Sequence, residues 1–173
     1  MTWSLDNSKN NEAAKIRWNC VPFMRGRVLD IGCGPYKAFP HFIGVDNGHH
    51  WGVQGADVKV KDGAELDLFS TCSCDAVFSS HLLEHFHYDK VPNVLQEWMR
   101  VIKPGGYLML YLPADGDYPS VGHPHANVDH KWNVTYDALV SAMEKVPTSW
   151  DLIEYEDRHE GDEYSHWFVF KRL

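Results

Sequence analysis

Residues 28–35 read Val-Leu-Asp-Ile-Gly-Cys-Gly-Pro, and they predict the fold of this chain. The apolar run predicts a buried strand over residues 28–32, and its two glycines predict a sharp turn that lets a ligand approach the backbone. In an α/β sheet such a turn lies at the carboxyl end of a strand, where ligands bind. Residues 43–46 predict a second strand that ends in Asp46, whose carboxylate can accept both hydroxyls of a ribose. The pattern indicates a nucleoside-containing ligand.

The residues of this turn also indicate which nucleoside-containing ligand the site suits. A dinucleotide site needs G-x-G-x-x-G opening a helix, so that a pyrophosphate lies on the helix N-terminus. Here Lys37 stands at the third glycine position and Pro35 follows the second glycine directly. Asp30 adds a negative charge that opposes a phosphate and suits a cation such as an ammonium or a sulfonium. These residues favour S-adenosylmethionine (SAM) over NAD, and an NAD-dependent oxidoreductase is the less favoured alternative.

Five segments resemble the class I, Rossmann-like SAM-dependent methyltransferases. Residues 28–35 resemble the family's glycine-rich first motif, and Asp46 matches the acidic residue that ends its second strand. Residues 61–64 resemble the loop that touches the adenine, 75–85 the fourth strand with its loop, and 103–110 the fifth strand with its preceding turn. The resemblance implies an α/β fold: a Rossmann-like, seven-stranded, mostly parallel sheet with an antiparallel C-terminal hairpin and helices on both faces.

The resemblance also implies a set of cofactor contacts. Asp46 would bind the ribose, Asp62 the adenine amino group, and Ser79 the cofactor through its main chain. A tight turn for the glycines and a helix cap for Asp62 are the structural alternatives. The implied cofactor-binding residues are Asp30, Gly32, Cys33, Gly34, Asp46, Asp62, Gly63, Ser79 and His81.

Methyl transfer from a sulfonium needs little machinery, because the methyl donor is already activated. Alignment of the nucleophile, the methyl carbon and the sulfur can supply roughly 7–11 kcal/mol. A general base helps when the acceptor is a hydroxyl. The candidate bases are the histidines on the loops after the fourth and fifth strands: His81, His85, His123, His125 and His130. Of these, His81, His85 and His123 are the candidate catalytic residues. For His85, capping the next helix is an alternative role.

Residues 122–132 contain three histidines (His123, His125 and His130) and Asp129. Such a group can hold a divalent metal. The alternative is a wall of the acceptor pocket, with two of the histidines facing solvent. We favour the wall, so the sequence predicts no metal.

Composition limits the classes of protein further. A chain of 173 residues predicts one domain. A formal charge of −8 disfavours a protein that grips nucleic-acid backbone. The sequence has no apolar run long enough for a membrane span and no signal peptide, and Cys72-x-Cys74 is too tightly spaced for a usual zinc site. We therefore expect a cytoplasmic protein with reduced thiols.

Hydrophobic periodicity predicts the remaining elements. Helices are expected over 8–21 and 88–102, and after Thr135 as N-cap; strands are expected over 57–60, 75–79, 107–112, 150–157 and 165–173. The domain divides into an N-terminal helix and lid (1–27), a cofactor-binding core (28–113), an acceptor-side loop and helix (114–149) and a closing hairpin (150–173).

The connections after the first two strands are short. Only ten residues, 33–42, separate these strands, which leaves room for about one helical turn at 36–41. Residues 47–56 contain three glycines and predict a loop. The thin cover favours a homo-oligomer, or a partner lying over that face.

The leading hypothesis is a SAM-dependent methyltransferase that acts on a small-molecule or glycan-type acceptor and releases S-adenosylhomocysteine. A SAM-binding regulatory or scaffold module without turnover is the alternative from another class.

Overall fold

The computed structural model describes residues 11–48 and 56–173. The strands are β1 (Val28–Ile31), β2 (Ile43–Asp46), β3 (Val58–Lys59), β4 (Cys74–Ser80), β5 (Ile102–Pro113), β6 (Trp150–Arg158) and β7 (Ser165–Arg172). The helices are α1 (Glu12–Ile16), continued by a 3-10 turn over Arg17–Cys20, α2 (Val91–Val101) and α3 (Tyr136–Met143). A single 3-10 turn over Leu83–His85 lies between β4 and α2.

The seven strands form one sheet in the order β3-β2-β1-β4-β5-β7-β6. Strands β1 to β5 are parallel, and β7 runs antiparallel to both β5 and β6. The predicted Rossmann-like sheet with its antiparallel C-terminal hairpin is confirmed. The chain moves outward from β1 to β3 and then returns to place β4 on the other side of β1. The carboxyl ends of β1 and β4 therefore border the crevice in which this topology binds ligands.

Alternate residues of the central strands bury opposite faces of the sheet. In β4, Val77 belongs to a core shared with α2 and α3, whereas Phe78 belongs to a core shared with α1. In α2, Leu95 and Trp98 are fully buried against the first face. The predicted helices on both faces are confirmed.

Helix α3 begins where the sequence predicts. The hydroxyl of Thr135 accepts a hydrogen bond from the Ala138 N–H at 3.1 Å, which satisfies one of the free donors of the first turn. Leu139, Ala142 and Met143 are fully buried on the inner face. The predicted N-cap and apolar face are confirmed.

The connection after β1 contains less helix than the sequence predicts. Residues 32–42 form turns, and the one helical turn expected at 36–41 is not formed there. Polar bonds organise the loop instead: the buried Asp30 carboxylate accepts from the Ala38 N–H at 2.7 Å, and Lys37 Nζ donates to the Phe42 carbonyl at 3.0 Å. Most of the loop expected at 47–56, and the predicted helix start at residue 8, lie outside the described residues.

The helices in the described part of the chain are all too short or too polar to cross a bilayer.

Candidate active site

A cleft of about 740 Å³ opens at the carboxyl ends of β1, β2 and β4. Its volume falls within the range of about 300–1,000 Å³ that is usual for small-molecule sites. One end is lined by the loops after β1, β2 and β3, and the other by the loop after β4 and by residues 127–131, with α1 alongside. The sheet order thus makes a cleft with two chemically distinct ends.

The glycine turn after β1 forms one wall of this cleft. Gly32 and Gly34 have φ angles of +73° and +54°, which L side chains rarely adopt. A Cβ on Gly32 would lie 2.7 Å from Leu82 Cδ2, whereas a Cβ on Gly34 would meet open space. Gly32 is therefore required by both conformation and space, and Gly34 by conformation.

Asp46 ends β2 directly beside the glycine turn. Its Oδ2 accepts from the Gly34 N–H at 3.0 Å and its Oδ1 from the Gly48 N–H at 2.8 Å. A carboxylate has about four acceptor sites, so these two bonds orient it and leave capacity for hydroxyls of a ligand. Asp62 also lines the cleft, and its Oδ1 accepts from the Ala64 N–H at 3.0 Å.

Asp30 and Cys33 line the same end of the cleft. Burial raises the pKa of Asp30 to about 7, although the Ala38 N–H and nearby Lys37 lower it. A cation bound beside Asp30 would favour its ionised form. Burial also raises the pKa of the Cys33 thiol, which makes it a poor nucleophile.

Gly63 and Ser79, two of the predicted cofactor contacts, also form hydrogen bonds within the fold. The Gly63 carbonyl accepts from Trp98 Nε1 at 2.7 Å, which ties the loop after β3 to α2, and Gly63 still lines the cleft. Ser79 is fully buried, and its hydroxyl donates to the Ile31 carbonyl at 2.9 Å. Ser80, not Ser79, is among the residues that line the cleft.

A carboxylate and three histidines meet beside the cleft, and two of them, His81 and His85, line it. Glu84 has no exposed surface, and within the described residues neither of its carboxylate oxygens accepts a hydrogen bond. Its Oε1 lies 3.5 Å from His130 Nε2, 3.7 Å from His81 Nδ1 and 3.9 Å from His85 Nε2. Burial raises the pKa of Glu84 to about 8.

His81 directly follows β4 and has a strained backbone conformation, with φ of +51°. Its Nε2 lies 3.0 Å from the Ser165 hydroxyl in β7, and its ring packs on Tyr111 and Tyr164. Burial lowers the pKa of His81 to about 3, so the imidazole is neutral near pH 7. The packing fixes this ring in place.

The three histidines of residues 122–132 separate in the structure. His123 and His125 are exposed, with the His125 N–H donating to His123 Nδ1 at 3.2 Å. His130 is buried against Glu84, and burial lowers its pKa to about 4. His123 does not line the cleft, so its placement gives no support to a catalytic role. His85 does line the cleft and is half-buried.

Glu84 is a residue of this group that was not among the candidates predicted from the sequence, whereas His130 was predicted only as one of five candidate bases. The spacing His81-x-x-Glu84-His85 carries a signal, because positions three and four apart share one side of a helical turn. His130 has no such local signal. The Lys131 N–H donates to the Glu84 carbonyl at 2.8 Å, and this long-range bond brings the loop of His130 to the site.

Comparisons with known proteins agree with this architecture. Residues 29–110 match the family model described as a methyltransferase domain. No curated protein matches the chain in sequence. Among solved structures, a SAM-dependent methyltransferase from Archaeoglobus fulgidus has a TM-score of 0.70 at 20% identity, covering 95% of this chain and 94% of that one.

Two further structures have the same fold. One from Thermotoga maritima, described as a SAM-dependent methyltransferase and possible histamine N-methyltransferase, has a TM-score of 0.68 at 15% identity, with 96% of this chain and 90% of that one covered. A S-adenosylmethionine-dependent methyltransferase from Mesorhizobium loti has a TM-score of 0.68 at 13% identity, with 98% and 100% covered.

Residues 29–110 match a methyltransferase domain, and the sheet topology and the glycine turn support a class I SAM-dependent methyltransferase. Its cofactor is S-adenosylmethionine, as the resemblance implies. Asp30, Gly32, Gly34, Asp46 and Asp62 converge on one end of the cleft, and this donor set suits a nucleoside carrying a cationic amino-acid tail.

Proposed function

We propose that this enzyme transfers the methyl group of SAM to a polar small-molecule or glycan-type acceptor in the cleft. One observation carries the proposal: the cleft continues from the cofactor end into an end lined by polar side chains, among them His85, Asn127, Asp129 and Lys131. Polar walls favour an acceptor rich in hydroxyl groups over an apolar one. The four cysteines form no disulfide, which is consistent with a cytoplasmic location.

The cofactor roles follow from position along the cleft. Asp46 is proposed to bind the ribose hydroxyls and Asp62 the adenine amino group. Gly32, Cys33 and Gly34 would contact the methionyl part through their main chain. Asp30 would act through its charge on the ammonium or the sulfonium, which the Coulomb attraction of a buried carboxylate favours.

The acceptor would lie between the sulfonium and the loop after β4. His85 is the candidate histidine best placed to face it, because His81 is held by Ser165 and His123 lies outside the cleft. Much of the rate enhancement would come from alignment, and His85 would help to orient the acceptor.

The first test is a calorimetric titration of the purified chain with S-adenosylhomocysteine, SAM and NAD. We expect micromolar binding of both adenosyl ligands and none of NAD. Tight NAD binding, or no binding of either adenosyl ligand, would overturn the assignment of the cofactor end.

The second test follows S-adenosylhomocysteine formation with a panel of sugars, polyols, phenols and amines. His85→Ala is expected to keep S-adenosylhomocysteine affinity within about threefold and to lose most turnover. The control is His87→Ala, which changes an exposed histidine two residues away and is expected to behave as wild type. A large loss of cofactor affinity in His85→Ala would instead move this residue to the cofactor end.

A further inference from the structure

The buried carboxylate of Glu84 lacks the partners that such groups normally have. A fully buried carboxylate is costly unless it is paired, hydrogen-bonded or bound to a metal. Glu84 has no exposed surface and, among the described residues, no hydrogen-bond donor reaches either oxygen.

The geometry of the group fits a shared ion better than direct hydrogen bonds. Glu84 Oε1 lies 3.5 Å from His130 Nε2 and 3.9 Å from His85 Nε2, and the three ligand atoms lie within 4.8 Å of one another. Hydrogen bonds are shorter, with nitrogen–oxygen distances of about 2.7–3.2 Å. Ligands that each lie about 2.0–2.2 Å from one tetrahedral ion stand roughly 3.4 Å apart.

The fold holds these ligands in place from two directions. Glu84 and His85 lie on the 3-10 turn after β4, and the Leu83 carbonyl of that turn accepts from Trp132 Nε1 at 3.3 Å. The Lys131 N–H donates to the Glu84 carbonyl at 2.8 Å, directly beside His130 in the chain. The ligands therefore come from two segments that are locked together, and His85 opens to the cleft.

We propose that Glu84, His85 and His130 bind a divalent transition-metal ion, with His81 beside it, at the acceptor end of the cleft. Two imidazoles and one carboxylate suit Mn²⁺, Fe²⁺, Co²⁺ or Zn²⁺ better than Mg²⁺, which prefers oxygen ligands. Three protein ligands leave coordination positions for a group from the cleft. The sequence predicted no metal. The metal group considered there consisted of His123, His125, His130 and Asp129, and only His130 belongs to the present group.

An ion here would direct methylation to oxygen. An acceptor hydroxyl that coordinates the ion becomes more acidic and releases its proton to water in the cleft. An oxygen lone pair then forms the bond to the methyl carbon, and the carbon–sulfur electron pair passes to sulfur. The products are a methyl ether and neutral S-adenosylhomocysteine, with the ion unchanged.

The proposal is tested by measuring metal binding to the chain directly. The purified full chain is stripped with a chelator, desalted and titrated with Co²⁺, Mn²⁺ and Zn²⁺ by calorimetry, with the visible absorption of Co²⁺ as a second readout. We expect one ion per chain and a rise in Tm on binding. Glu84→Gln and His130→Gln should weaken binding by about tenfold or more, which is ~1.4 kcal/mol.

Glu84→Gln allows a loss of metal binding to be distinguished from a failure to fold. It replaces a buried ionisable carboxyl by a neutral side chain of the same size, so the metal-free variant is expected to unfold at a temperature equal to or above that of wild type. His159→Ala is the matched control, because His159 lies in an exposed group with Asp117 and Asp157 that tests surface binding. Wild-type affinity in Glu84→Gln, or no ion bound by the wild-type chain, would overturn the proposal.

The oxygen-acceptor part rests on the proposed function, and the two can fail separately. S-adenosylhomocysteine titrated into the metal-free chain tests the cofactor site by itself. Cofactor binding without metal binding removes only the metal site. Metal binding without cofactor binding removes only the proposed function.

Discussion

Asp30 and Glu84 are two buried carboxyl groups: Asp30 lines the cleft, and Glu84 lies behind His81 and His85, which line it. Burial raises the pKa of Asp30 to about 7 and that of Glu84 to about 8. Asp30 has a backbone donor, the Ala38 N–H at 2.7 Å, whereas Glu84 has histidines at longer distances. At the residue scale the fold thus satisfies one carboxylate locally and leaves the other for a bound group.

Asp30 makes stability depend on pH in a definite direction. Its folded pKa is raised above the unfolded value of 3.8, so the native state binds more protons between about pH 4 and 7 and stability falls as pH rises through that window. Asp30→Asn keeps an oxygen that can accept from Ala38 and removes the titration. Urea unfolding at pH 5 and 7.5 should show the variant gaining stability relative to wild type at the higher pH.

Glu84 titrates in both of these proteins, so its contribution cancels in the comparison. A difference between Asp30→Asn and wild type that is the same at both pH values would contradict the raised pKa of Asp30.

Asp46 is the residue on which the ribose assignment depends. Asp46→Ala should weaken S-adenosylhomocysteine binding by about tenfold or more, ~1.4 kcal/mol, because two backbone-oriented carboxylate oxygens are lost. Calorimetry provides the measurement. Asp151→Ala is the control, since Asp151 lies exposed on β6 at the opposite edge of the sheet. Unchanged affinity in Asp46→Ala would remove the ribose role.

At the scale of elements, the turn after β1 is shaped by space as well as by backbone conformation. Gly32 and Gly34 both have positive φ, but only Gly32 faces another side chain, that of Leu82. Leu82 precedes the 3-10 turn that carries Glu84 and His85. The glycine turn and the loop after β4 are therefore in contact, and a change in one is transmitted to the other.

Because of the contact with Leu82, alanine substitutions at Gly32 and Gly34 are expected to have different effects on stability. Gly34→Ala should cost about 1–2 kcal/mol of unfolding free energy from backbone conformation alone. Gly32→Ala should cost about 1–3 kcal/mol more, because its Cβ overpacks Leu82. Urea unfolding of both variants makes the comparison. An equal loss in the two would show that the loop after β4 adjusts freely.

At the scale of the whole molecule, α1 is bound to the connection between β6 and β7. The Tyr164 hydroxyl donates to Glu12 Oε1 at 2.9 Å, and Lys15 Nζ donates to the Asp162 carbonyl at 2.8 Å. These bonds join α1 to the connection between β6 and β7, about 150 residues away in sequence. Glu12 also lines the cleft, so the position of α1 affects the site.

Removing the Tyr164 hydroxyl should loosen α1 alone. A hydrogen bond to a charged acceptor contributes about 1.5–3 kcal/mol, so in Tyr164→Phe the α1 amides should exchange with solvent roughly tenfold faster or more. Amides of α2 in the same sample should not change. Tyr155→Phe is the matched control, because Tyr155 lies on β6 and pairs with His166. Unchanged α1 exchange in Tyr164→Phe would contradict this docking.

Local patterns were sufficient for the sheet, for α2 and α3, and for the glycine turn and Asp46, which line one cleft. Strand β1 and its glycine turn, the cap at Thr135 and the carboxylate at Asp46 are each set by neighbouring residues, whose hydrophobic period and turn chemistry can be read along the chain. The helical turn predicted at 36–41 failed to form because Asp30 and Lys37 bond to the loop's own backbone.

The acceptor end was decided by tertiary structure alone. His123, His125 and His130 are equivalent in the sequence, yet only His130 reaches Glu84, because the bond from Lys131 to the Glu84 carbonyl turns that part of the loop inward. The sequence by itself determined the class of enzyme and its cofactor, since those depend on short motifs in order. Which side chains gather around Glu84 depended on long-range packing, which brings together residues more than forty positions apart.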